Sequence, residues 1–251
     1  MAIDLNADLG EGFGRWTLGD DEALLDVITS ANVACGFHAG DPSIMRRTCA
    51  QAVERGVVIG AQVGYRDLAG FGRRRIDMAP PELTADVVYQ LGALEAFARI
   101  AGGQVGYLKP HGALYNTAVV DAVQAQAVVD AVLAYDRALP ILTLPRGVLA
   151  RLAEAAGITV IAEAFADRTY QRDATLTPRE QDRGVLHDAA LIAERAVRIA
   201  VAGEVVAADG STVRMHAASL CVHGDTPGAV EIARAVKQAL TAAGVAVRSF
   251  V

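Results

Sequence analysis

The stretch SANVACGFHAGDPSIMRRTCAQAVERGVVIGAQV, Ser30 to Val63, contains one complete structural unit. Ser30 to Gly36 is small and apolar and reads as a buried strand. Asp41-Pro42 then sets a capping carboxylate before a proline at the first helical position, so Pro42 to Arg55 reads as a helix. Gly56 supplies the left-handed backbone that ends it, and Val57 to Val63 is the next strand. Strand, helix and strand in this order form a right-handed βαβ unit of a parallel sheet. The turn between first strand and helix, Gly36-Phe37-His38-Ala39-Gly40-Asp41, offers an imidazole between glycines, which suits proton transfer or metal ligation.

The same alternation runs outward in both directions. Further strands are expected at Ala2 to Asp8, Val105 to Lys109, Pro140 to Leu144, Ile158 to Glu163 and Ala217 to Val222. Helices are expected at Asp21 to Thr29, Pro81 to Ile100, Thr117 to Tyr135, Gly147 to Ala156, Asp188 to Val201 and Thr226 to Ala243. Seven such units without a break in composition predict a single α/β domain over residues 1–251, its sheet closing into a seven-stranded (β/α) barrel. A doubly wound open sheet is the alternative. Glu204 to Met215, centred on Asp209-Gly210, reads as an inserted hairpin near 204–215, and Val245 to Val251 as an edge strand.

The chain has 251 residues, 23 Lys+Arg against 29 Asp+Glu, and a net charge of −6. With 53% hydrophobic residues it can bury a large core, which excludes disorder. The acidic balance argues against nucleic-acid or anionic-membrane partners. Asp4 and Asp8 interrupt any leader-like apolar run, and three unpaired-looking cysteines suggest no disulfide framework. These features point to a cytoplasmic location.

Polar groups fall just after the expected strands, where parallel α/β folds gather their loops on one face. They are Asp8 and Glu11, His38 and Asp41, Gln62 and Tyr65, Lys109 and His111, Asp167 and Arg168, His223 and Asp225. Asn6 precedes the first pair. Lys109, one of only two lysines, reads as an exposed strand-end cation able to stabilise an oxyanion or phosphate while adding little to the core. Glu11 and Asp8 could divide acid and base roles, and His38 and His111 could move protons. Asp and His at strand ends also suit a divalent metal, although no HxxxH or HExxH spacing is present. Without a Gly-Lys dipeptide there is no P-loop, and GxGxxG is absent too.

At these segments the sequence resembles the LamB/YcsF family, the A subunits of ATP-dependent 5-oxoprolinase. The resemblance rests on NADLGEGFG (6–14), NVACGFHAGDP (32–42), GFGRR (70–74), LKPHGALYN (108–116), EAFADRTY (163–170) and CVHGDTPGAV (221–230), in family order along nearly the whole chain. It implies a distorted TIM-like barrel of the glycoside hydrolase/deacetylase type. It also implies ATP-coupled opening of 5-oxo-L-proline to L-glutamate together with subunits B and C. ATP would be a co-substrate, held by a partner subunit in one version. The family's site residues map onto Asp8, Glu11, His38, Lys109, His111, Asp167, Arg168, His223 and Asp225. Within the polar set Asp8, Glu11, His38, Lys109 and His111 read as catalytic, and Asn6, Gln62, Tyr65, Asp167, Arg168, His223 and Asp225 as substrate-binding. Gln62 stands where the family usually has histidine, and a customary glycine is missing near Asp173-Ala174. Two other readings compete: a stand-alone metal-dependent deacetylase or amidohydrolase, and a non-catalytic lactam- or sugar-binding protein.

Overall fold

The computed structural model describes residues 1–251. In chain order the elements are β1 (Ala2–Leu9), α1 (Asp21–Leu25), β2 (Ser30–Ala34), α2 (Pro42–Glu54), β3 (Val58–Val63), α3 (Pro80–Ile100), β4 (Val105–Pro110), α4 (Gly112–Val120), α5 (Ala122–Tyr135), β5 (Ile141–Thr143), α6 (Val148–Ala155) and β6 (Val160–Phe165). There follow α7 (Ala189–Ala202), the short strands β7 (Glu204–Val206) and β8 (Thr212–Arg214), β9 (Ser219–Val222), α8 (Ala229–Ala242) and β10 (Ala246–Val247). Strands β1 to β6 and β9 pair in parallel, and β1 pairs with β9, so the sheet closes into a seven-stranded barrel. Closure excludes the open sheet. The central pairing sets Asp4, Leu5, Asn6 and Ala7 beside Ser219, Leu220, Cys221 and Val222.

Helices cover the outside of the barrel, and their starts follow from local chemistry. The Asp41 carboxylate accepts from the amides of Ser43 and Ile44, with Pro42 at the first helical position. The expected long helix from Thr117 to Tyr135 is instead two helices bent by 110° at Asp121. Asp121 accepts from the Val123 and Gln124 amides, so it caps α5 rather than continuing α4. The hairpin pairs Glu204 to Val206 with Arg214 to Thr212, in antiparallel register. Residues 166–188, between β6 and α7, form a long strap with only isolated bridges. No single helix is long and apolar enough to cross a membrane.

The barrel interior is unusually polar. Asp4, Asn6 and Asp8, alternating along β1, are all buried and hydrogen-bonded to one another's neighbours. Thr29 and Ser30 donate to Asp4 Oδ1, each at 2.6 Å, and Ser219 donates to its other oxygen. Asn32 Nδ2 donates to both Asn6 Oδ1 and Asp8 Oδ1, at 2.7 and 2.8 Å. The Tyr107 hydroxyl donates to Asn32 at 2.6 Å. Its ring needs the absence of a side chain at Gly60, where a Cβ would sit 2.1 Å from the ring. Below it Phe250 packs edge-on, centroids 5.2 Å apart, and closes that end.

Candidate active site

Lys109, next to last in β4, lies inside the barrel rather than in solvent, and its side chain is only 3% exposed. Its ammonium group lies 2.6 Å from Glu163 and 3.5 Å from Asp8, and it donates to Asn6 and to the Cys221 sulfur. Burial opposes its charge, but Asp8 and Glu163 outweigh burial and hold its pKa well above the usual lysine value. The expectation of an exposed cation is therefore corrected. The two carboxylates separate: burial raises Glu163, whereas in Asp8 burial is overcome by Lys109 and His223 and the pKa falls. The Tyr115 hydroxyl completes the group, donating to Glu163 at 2.9 Å.

Above this floor a cavity of about 380 Å³ opens at the carboxyl ends of the strands. Asp8, Gln62, Lys109, His111, Arg168 and His223 all line it. Two imidazoles reach it with different support. His223 Nδ1 is 2.7 Å from Asp167, whose carboxylate also accepts the His223 backbone amide. This fixes the proton on Nδ1 and leaves Nε2 as a base. Asp167 is kept below the usual carboxylate range, since His223 and Arg168 outweigh its burial.

His111 stacks on His38 with centroids 3.9 Å apart, and its Nε2 lies 3.7 Å from Glu11. Burial drives His38 down to about 4 despite the 3.2 Å hydrogen bond from its Nε2 to the Gln62 oxygen. Burial and neighbouring cations likewise keep His111 well below 6.5. Burial, with Asp8 and Asp225 nearby, pushes the Glu11 carboxyl well above its usual range. Burial thus disfavours charge on the Glu11 carboxyl and on both imidazoles. A second loop roofs it: Phe71, at φ +54, meets both imidazoles edge-on, and Gly72 packs where a Cβ would lie 2.8 Å from His111 Nδ1. Asp67 anchors that loop through the Gly70 amide and Arg74.

Glu11, His38 and His111 also offer donor atoms within 4.8 Å of one another, the composition of a divalent-metal site. The ring arrangement does not fit one. The two imidazole planes are 15° from parallel. Imidazole lone pairs lie in the ring plane, so stacked rings cannot both aim at one ion.

Other expected residues lie differently. The Tyr65 hydroxyl donates to Gln124 at 3.1 Å and the residue is fully buried, outside the cavity lining. Asp225 sits at the rim, paired with Arg73 at 2.5 Å. Arg168 reaches the cavity wall, but its guanidinium also donates to the carbonyls of Gly184 and Thr177, tying the strap down. Asn6 and Asp167 support Lys109 and His223 from behind. Glu163, Asn32 and Tyr115 escaped the strand-end rule because they lie within a strand or helix. The signal for the interior set was the period-two polar pattern Asp4, Asn6, Asp8 along a strand otherwise apolar.

Comparisons with known proteins agree with this architecture. The profile of the LamB/YcsF family matches residues 3–251. A protein of Streptomyces avermitilis, named as the A subunit of 5-oxoprolinase, is 60% identical over 248 residues, 99% of each chain. One of the same name from Kocuria rhizophila is 58% identical, covering 99% of this chain and 98% of its own. The crystal structure of a lactam utilization protein from Thermus thermophilus superposes over both whole chains with a TM-score of 0.95 at 44% identity. A polysaccharide deacetylase from Bacillus cereus, 13% identical with a TM-score of 0.51, shares the fold over all of this chain and 92% of its own.

Proposed function

Because the chain belongs to the LamB/YcsF family, we propose that it acts as the A subunit of an ATP-dependent 5-oxoprolinase, opening 5-oxo-L-proline to L-glutamate with subunits B and C in the cytoplasm. The observation that carries this reading is a single cavity lined by a buried cation, Lys109, and a carboxylate-backed imidazole, His223, with the buried Glu11 carboxyl behind its His111 wall. Lactam opening needs all three. Water must lose a proton as it adds to the ring carbonyl carbon, the carbonyl oxygen gathers negative charge, and the ring nitrogen must gain a proton as the carbon–nitrogen bond breaks.

In this reading His223, held by Asp167, takes the proton from water. Lys109 answers the charge on oxygen. Glu11, beside His111, supplies the proton to nitrogen. ATP contributes by phosphorylating the carbonyl oxygen with release of ADP. Water addition and cleavage of the ring carbon–nitrogen bond then leave an acyl phosphate, which a second water hydrolyses to L-glutamate and phosphate, so that the ring does not re-form. ATP binding falls to a partner protein, consistent with the missing P-loop. The stacked His38 and His111 give the metal-dependent deacetylase alternative no support. The test is reconstitution with subunits B and C: glutamate should form from 5-oxo-L-proline only when this chain and ATP are both present. ATP-independent activity of this chain alone, or none in the complete assembly, would refute it.

A further inference from the structure

Four cations line the cavity, Arg73, Lys109, Arg168 and Arg179, and three have protein partners. Arg73 pairs with Asp225, Lys109 with Asp8 and Glu163, and Arg168 donates to the carbonyls of Gly184 and Thr177. Arg179, half-buried on the strap, makes neither an ion pair nor a hydrogen bond. Asp173 and Glu180 also line the cavity, yet neither pairs with it, and Asp173 Oδ1 instead accepts from the Thr175 amide and hydroxyl. Arg179 also bears on charges it does not touch. Burial is the largest influence lowering Arg168 to about 10, and Arg179 is the next. Two guanidinium groups repelling across a shared wall are a site that an anion would relieve, and a carboxylate matches the planar donor fork.

We propose that Arg179 is the anchor for the carboxylate of the lactam substrate, with the Arg168 edge of the cavity beside it, and that this contact selects 5-oxoproline over uncharged lactams. The inference rests on the 5-oxoprolinase reading and adds to it the residue that reads the substrate's charge. The anchor lies on the strap, whereas the acid, base and buried lysine belong to the barrel rim and interior. Binding and chemistry therefore separate along the chain.

The experiment uses the complete enzyme with all three component proteins. Turnover by the wild type tests the underlying reading by itself. Given turnover, Arg179→Met should raise KM for 5-oxo-L-proline about 10- to 100-fold, the worth of one charged hydrogen-bonded contact, with kcat within about threefold. Arg179→Lys should recover part of the loss. 5-Oxoprolinamide, which keeps the ring and lacks the carboxylate, should be a poor substrate for the wild type and no poorer for Arg179→Met. An unchanged KM for 5-oxo-L-proline, an equal loss on the amide, or a shift in KM for ATP instead would overturn the assignment. The last outcome would give Arg179 to a phosphate.

Discussion

Replacing Lys109 by methionine removes a charge on which two buried carboxylates depend. With Asp8 and Glu163 at 3.5 and 2.6 Å and all three side chains buried, the variant should lose about 3–5 kcal/mol of stability as well as activity. Urea unfolding checks this, and Lys109→Met combined with Glu163→Gln should lose less than the sum of the two single changes. A second expectation concerns acid. His38 titrates at about 4 in the folded protein, because burial disfavours its charge, against about 6.5 when unfolded. Below about pH 6.5 the unfolded chain takes up the proton and the folded chain does not. Stability contributed by neutral His38 is therefore full above pH 6.5 and declines toward pH 4, by about 3 kcal/mol. His111 acts in the same direction. Urea midpoints measured from pH 7 to pH 4 should fall, and His38→Asn should flatten the curve.

At the scale of elements, the corner between α4 and α5 shows how one side chain overrides a pattern. The apolar run from Thr117 to Tyr135 has helical periodicity throughout, and that alone predicted a continuous helix. Asp121 breaks it because its carboxylate satisfies two amides at the start of α5 and also meets Arg75 at 2.9 Å. Asp121→Ala should cost about 1 kcal/mol, seen as a lower Tm. It should also disturb the cavity wall at Val119 and Val120. The βα alternation was legible since each strand has its own apolar run and each helix a cap or a glycine. The strap from Ala166 to Asp188 has no apolar run of either period, so sequence periodicity was silent on the segment that carries Arg168 and Arg179. Lys109, His111 and His223 were readable as strand-end groups. Glu163 was not, because its significance comes from facing Lys109 across the barrel, a relation fixed by closure rather than by spacing.

For the whole molecule, chemistry and closure lie at opposite ends. The cavity opens at the carboxyl ends of the strands, while Phe250 covers Tyr107 at the other end and β10 pairs with Ala2 and Ile3. Deleting residues 245–251 should lower Tm while leaving turnover at moderate temperature nearly intact in the reconstituted enzyme. Loss of activity at temperatures where the truncated chain remains folded would mean the two ends are coupled. The placement of β1 has a consequence for biosynthesis. Its partner Ser219 lies 215 residues downstream of Asp4, and β10 further still. A nascent chain therefore leaves the ribosome with one edge of its first strand, and the Ser219 contacts to Asp4 and Asn6, unmade until β9 has been synthesised. Chains cut short before β9, that is before Ser219, would be trapped as open, self-associating sheets rather than as weakened enzymes.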